Sequence, residues 1–337
     1  MNISLKFLVP AIVTAISAAG CVRGDNPIVR REDPRNSNGV KPIYGEGWKA
    51  QENVGVDYWD VFFPTDKLGF LAGMGSNTRG ISRSEDGGLT WSKATTSGAS
   101  GYYNLYFLNE DNGWAVGDSM ISYTTDKGKT WKDMESIPLT SGGKKPVTAD
   151  VYFPNKDTGY AVTAIGMLQS FDGGKNWSKI AASPTNVTAA AYYNTKDGII
   201  GTTTGIRITD DSSKTYKNGT GSTSRIITIQ LLGANEAVCI DQAGILWAST
   251  DKGLTWTKKL TFSDDYFDIA FSSLNEGYVM TRNKVWKISN GAVAGTLPVL
   301  YYPLFTDAQL MECHFLPDLS KGWVIYQDNI LFRYVKP

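Results

Sequence analysis

Histidine is almost absent from the sequence: His314 is the only one in 337 residues. A nucleophile activated by an imidazole would have to be assembled around that one side chain. No serine and carboxylate are spaced to converge on it, so His314 reads as structural. Cysteine is scarce too, with Cys21, Cys239 and Cys313. The last two invite a bridge in an exported chain, but they fall in non-adjacent parts of a repeat pattern, which favours two buried free thiols. Neither sign of charge dominates. Lysine plus arginine and aspartate plus glutamate each number 33, so there is no basic field for nucleic acid. No window holds a helical period over a useful length.

Long apolar runs are missing everywhere but the N-terminus, and the run from Phe7 to Ile16 is too short to cross a bilayer. A weakly positive head precedes it, and Ser17-Ala18-Ala19-Gly20 leads into Cys21. Small residues directly before a cysteine resemble a bacterial lipobox. Residues 1–20 are therefore expected to be a lipoprotein-type signal peptide with Cys21 as the lipidated residue; an ordinary secretory signal is the alternative. Several acyl chains on one residue would hold the protein to a membrane surface. Residues 21–40 are polar, with Arg30-Arg31-Glu32-Asp33-Pro34, and read as a flexible tether. The expected location is the bacterial cell envelope, periplasmic or outer surface.

What is abundant is glycine, 35 residues, and aromatic side chains at 12%, a composition suited to short strands and tight turns. One octapeptide recurs: Ser84-Glu85-Asp86-Gly87-Gly88-Leu89-Thr90-Trp91, then Thr124 to Trp131 with Asp126, Ser170 to Trp177 with Asp172, and Ser249 to Trp256 with Asp251. A worn copy runs from Thr209 to Tyr216. The closing aromatics stand 40, 46, 39 and 40 residues apart, the spacing of a propeller or solenoid. The aspartate can accept bonds from the N–H groups that follow it, glycine supplies positive φ, and the hydroxyl can bond the same turn. The repeated carboxylates read as turn-formers; the alternative is a ligand role.

Around each octapeptide runs a common grammar of short apolar strands, such as Leu105-Tyr106-Phe107 followed by Gly113-Trp114-Ala115-Val116-Gly117. Seven such units are legible, and the last supplies only three strands. Gly47-Trp48-Lys49 resembles the tail of an octapeptide 43 residues before Trp91. Residues 41–337 are thus expected to form one all-β domain, a seven-bladed β-propeller of four-stranded antiparallel blades, closed by the N-terminal strand completing the last blade. A monomer is expected. Unit six departs from the pattern, since Trp286 to Gly291 has no octapeptide ending and a long segment with Tyr301 and Tyr302 follows.

The octapeptides are similar to the Asp-box, or BNR, repeat. The longer grammar more closely resembles the photosystem II assembly and stability factor branch of seven-bladed propellers, over about residues 41 to 337. That resemblance implies a non-catalytic scaffold that assists assembly of a membrane complex. Photosynthetic members carry an arginine patch, whereas here Arg79, Arg83, Arg207, Arg225 and Arg282 are scattered over the units. Asp-boxes also occur in sialidases and glucan hydrolases, but no Arg-Ile-Pro segment is present. The expected function is a membrane-anchored scaffold without cofactor, whose partner is a membrane or envelope protein or a glycan. The alternative is a glycoside hydrolase or lyase using paired carboxylates at the channel mouth.

Two groups of residues are candidates for a site. The residue just before each first strand is Asp60, Asn104, Asp150, Ala190, Thr228, Asp268 or Glu312. These should ring the axial channel or lie close behind it, either as oxygen ligands for a cation or as caps on the neighbouring blade. The loops after the second strands share a side with the blade-to-blade connections. Arg79, Asp118, Asp241, Arg282, Asp264, Tyr301 and Tyr302 mark the partner surface on that side.

Overall fold

The computed structural model describes residues 2–3, 47–51, 58–73, 80–96, 101–117, 120–133, 148–264, 267–282, 284–297, 310–326 and 330–337. They form seven antiparallel blades and, among the described residues, no helix. Blade one is typical: Tyr58–Phe62 on the inside, then Gly69–Gly73, Gly80–Ser84 and the outer Ser92–Lys93. The second strand of each blade is nearly all buried, because both its faces meet neighbouring sheets. Blade two gains a fifth strand where Thr95–Thr96 lies parallel to Thr130 and Trp131. Asn2–Ile3 lies antiparallel to Ile229 and Gln230 on the inner strand of blade five.

Blade seven is composite. Leu310–Phe315, Lys321–Tyr326 and Ile330–Val335 come from the C-terminus, and Trp48–Gln51 supplies the outer strand. Trp48 pairs with Tyr334 and Lys49 with Arg333. Trp48 is 3% exposed and packs on Tyr334 and Phe315. The strand that precedes blade one and the C-terminal strands are thus hydrogen-bonded into one sheet, which completes the closing blade.

The blades are joined by aromatic stacks. Phe63 at the end of the first inner strand lies on Trp323 of blade seven, centroids 3.5 Å apart, with Trp91 against its edge. Phe153 stacks in the same way on Trp114 of blade two, and Tyr192 on Tyr160 of blade three. Each such pair adds about 0.5–1.5 kcal/mol beyond its buried area. The ring also lies over a glycine of its own blade: a methyl group at Gly69 would sit 2.1 Å from Phe63, and one at Gly159 would sit 2.4 Å from Phe153. Glycine therefore opens this strand in blade after blade because the aromatic leaves no room for a Cβ. In blade five, where Leu231 replaces the aromatic, Ala237 takes the position.

Candidate functional site

On one face lie the octapeptide turns, and five of them share one hydrogen-bond pattern. In the first, the buried Ser84 hydroxyl donates to Asp86 Oδ1 at 2.8 Å and accepts Gly88 N–H at 2.8 Å. Asp86 Oδ1 also accepts the N–H groups of Leu89 and Thr90, each at 2.9 Å, and Oδ2 accepts the Thr90 hydroxyl. Asp126, Asp172, Asp211 and Asp251 accept the equivalent N–H from Thr130, Asn176, Thr215 and Thr255 at 2.9–3.0 Å. Trp91, Trp131 and Trp256 donate their indole N–H to the carbonyl of the second turn residue, while Trp177 packs edge-on against Phe153. Partial burial pushes the Asp86 carboxyl up, but the bonds from Thr90, Ser84 and Leu89 outweigh it and hold the pKa at about 2. The Thr215 hydroxyl and N–H do the same for Asp211, also to about 2.

Each turn is tied to the turn between the first two strands of its own blade. Gly87 N–H bonds Lys67 O, Lys127 bonds Asp111, Gly173 bonds Asp157, Ser212 bonds Lys196 and Lys252 bonds Asn235. Blades six and seven keep this bond without an octapeptide, through Gly291 to Asn275 and Lys336 to Ser320.

Around the axis, the candidate ring lies inside the inner strands, not before them. A bulge precedes Asp60, Asn104, Asp150, Thr228 and Glu312 and re-aims the side chain that follows. In blade four the same bulge falls between Val187 and Ala189, and the aromatic facing the glycine that opens the second strand is Tyr192, so the residue in register is Ala189 rather than Ala190. The five polar candidates Asp60, Asn104, Asp150, Asp268 and Glu312 are 0–4% exposed, and Asp60 and Asp268 bond across the seams between blades. Asp60 Oδ2 accepts Leu105 N–H of the next blade at 2.6 Å. Asp150 and Asp268 accept the N–H of the residue that follows, and Asp268 also accepts the Cys313 thiol of blade seven at 3.2 Å. Cys313 and Cys239 are both buried and are not joined in a disulfide. No group of three or more His, Cys, Asp or Glu side chains among the described residues is placed to hold a metal ion.

Two positions further along the inner strand is a second set of seam bonds that sequence reasoning missed. His314 Nε2 lies 3.0 Å from Phe63 O, Tyr106 donates to Phe153 O at 2.9 Å, and Gln230 bonds both N–H and C=O of Phe271. Each bond crosses from one blade to the next. The available signal was a polar or aromatic side chain two residues after the ring position in an otherwise apolar strand.

The opposite face carries the loops after the second strands and the connections between blades. Of the partner-surface candidates, Arg79, Asp118, Tyr301 and Tyr302 lie outside the described residues, as does Cys21. Arg282 and Asp264 are half-buried beside one another's turns, with Asp264 accepting the Thr281 hydroxyl at 2.8 Å. Asp241 needs correction as a contact residue. It is 1% exposed, and Ser222, Trp247 and the N–H groups of Ala243 and Ile245 all donate to its carboxylate, at 2.6–3.1 Å. It pins its own turn.

Residues 44–142 match the family described as photosynthesis system II assembly factor YCF48. No curated protein matches the sequence. The solved structure "YCF48 bound to D1 peptide" is 18% identical, with a TM-score of 0.64 over 88% of this chain and 100% of that one. YCF48 from Cyanidioschyzon merolae is 17% identical, with a TM-score of 0.64 over 86% and 98%. A GH74 xyloglucanase from Xanthomonas campestris is 13% identical, with a TM-score of 0.63 over 86% of this chain but 53% of that one. At these identities the likeness is one of fold. The chain is a seven-bladed Asp-box propeller whose first two blades carry the sequence pattern of the YCF48 assembly factors.

Proposed function

We propose that the protein is a non-enzymatic binding scaffold, held at a bacterial membrane surface through Cys21, that engages a protein partner with the face opposite its Asp-boxes. One observation carries this reading. The carboxylates best suited by position to do chemistry, in the boxes and around the axis, are occupied by backbone N–H groups or buried. A general acid or nucleophile must reach its substrate, and Asp150 and Glu312, 3% and 0% exposed, do not present themselves to one. The match to YCF48 over residues 44–142, and a related fold that binds a peptide, support a polypeptide partner.

The test is affinity capture from solubilised membranes with the full chain. Arg282→Glu should lose a partner that wild type retains, whereas Asp86→Asn, on the box face, should keep it. Cys21→Ser should release the chain from the membrane fraction. Turnover of aryl glycosides that Asp150→Asn abolishes would replace the scaffold with a hydrolase. Equal capture by Arg282→Glu and wild type would move the surface elsewhere.

A further inference from the structure

Outer strands are where a propeller exposes unpaired backbone, and lysine is a common protection against pairing there. Five of the seven outermost strands carry an exposed lysine: Lys93, Lys179, Lys217, Lys258 with Lys259, and Lys49 in blades one, three, four, five and seven, while blade two ends in the two-residue strand Thr95–Thr96, laid against the strand that bears Lys132. Among the described residues, blade six alone combines a long outer strand with no charge. Its outer strand, Ala292–Leu297, is six residues long, has no charge, and is exposed from Ala292 to Thr296. Val293 is 44% exposed, and a Cβ at Gly295 would meet nothing within 4 Å. Among the described residues nothing pairs with its outer side.

The cause is local. In place of an octapeptide, blade six joins its last two strands by Asn290-Gly291, with φ of 51° and 73°. That is a two-residue hairpin of the type that Asn-Gly favours. The hairpin lets the outer strand start at once and pair back from Ala292 as far as Leu297. The boxed blades one, three and four spend those residues in the turn and keep only two-residue outer strands.

We infer that the outer edge of blade six, Ala292–Leu297, pairs antiparallel with the same strand of a second copy of this chain, extending two blades into one sheet across a two-fold axis. A two-fold contact brings the same patch together from both sides. On the five lysine-bearing edges it would set lysine near lysine, which opposes pairing, and the edge of blade two is only two residues long; here it brings no charge of the edge against its copy. A six-residue edge buries less than the roughly 1,200 Å² of a standard stable interface. The dimer is therefore weak and concentration-dependent, which reconciles it with the monomer expected of a closed ring. The inference is independent of which face binds the partner.

Sedimentation velocity over a wide concentration series tests it, using the full chain with Cys21→Ser so that no lipid bridges copies. The sedimentation coefficient should climb with concentration towards the dimer value. Val293→Lys and Thr296→Lys should stay at the monomer value with unchanged melting, and mixing Val293→Lys with Val293→Glu should restore association. A wild-type chain that stays monomeric throughout overturns the inference, as does association that survives both lysine substitutions. A monomeric wild type that takes up a foreign extended peptide, lost in Val293→Lys, also overturns it and assigns the edge to a different occupant.

Discussion

At the scale of single residues, the repeat is held by pairs in which one member dictates the other. Phe63 covers Gly69 so closely that a methyl group there would lie 2.1 Å from the ring. Overpacking in a filled core costs about 1–3 kcal/mol. Gly69→Ala should therefore lower the unfolding free energy by that much, read as a lower denaturant midpoint at unchanged slope, because Phe63 is also wedged on Trp323 and has no direction to yield. The box carboxylates make a second prediction. Asp86 and Asp211 sit at about 2, below the ordinary aspartate value of 3.8, so their stabilising contribution is complete above pH 4 and drains away as pH falls towards 2. Wild type should lose thermal stability across that window. Asp86→Asn combined with Asp211→Asn should start lower and fall less, as melting scans from pH 5 to about pH 2 would show.

At the scale of elements, the Asp-box was fully legible because its chemistry is local. Hydroxyl, carboxylate, turn residue and aromatic lie within eight positions, and the bonds seen in the structure connect those same positions. The worn copy shows which letters matter. Ser212 and Ser213 hold φ of 64° and 65°, a region that disfavours side chains. Ser213 is 1% exposed and its hydroxyl meets Tyr192 OH at 2.7 Å, while Ser212 is only half-buried. Ser212→Gly should then stabilise the protein by about 0.5 kcal/mol, strain relief exceeding the added freedom of the unfolded chain. Ser213→Gly should gain nothing or lose stability, because the buried Tyr192 hydroxyl loses its neighbour. Equilibrium unfolding of the two variants side by side separates these outcomes. The seams were less legible. Blade four carries two aromatics in succession, Tyr192 and Tyr193, and it is Tyr192 that faces Gly198, which moves the ring position from Ala190 to Ala189. The bonds from Tyr106, Gln230 and His314 use three different side chains at one register, so no motif marks them.

At the scale of the whole molecule, the ring depends on two closures: Trp48–Gln51 completing blade seven, and blade seven packing on blade one. The first was readable because Gly47-Trp48 repeats the octapeptide tail at the right distance. The second followed from the seven-fold repeat, but the bonds that make it, His314 to Phe63 O and Lys321 to Asp66, did not, because their partners are 251 and 255 residues apart. Lys49 and Arg333 stand opposite one another in the composite blade. Cysteines at both positions should form a disulfide under mild oxidation and speed the chain on a non-reducing gel, since the bridge would close a loop of most of the protein and compact the denatured chain. Free thiols in a folded double variant would place the N-terminal strand elsewhere.

The axial carboxylates are taken here to hold blades together and to contact no ligand. The melting behaviour of Asp60→Ala tests this most directly, because Asp60 Oδ2 accepts Leu105 N–H across the seam at 2.6 Å. Leaving that buried donor unsatisfied costs about 1–3 kcal/mol. The account predicts a drop in unfolding free energy of that size, with partner capture unchanged below the melting range. A variant that melts like wild type but loses a bound cation, a substrate or its partner would contradict it.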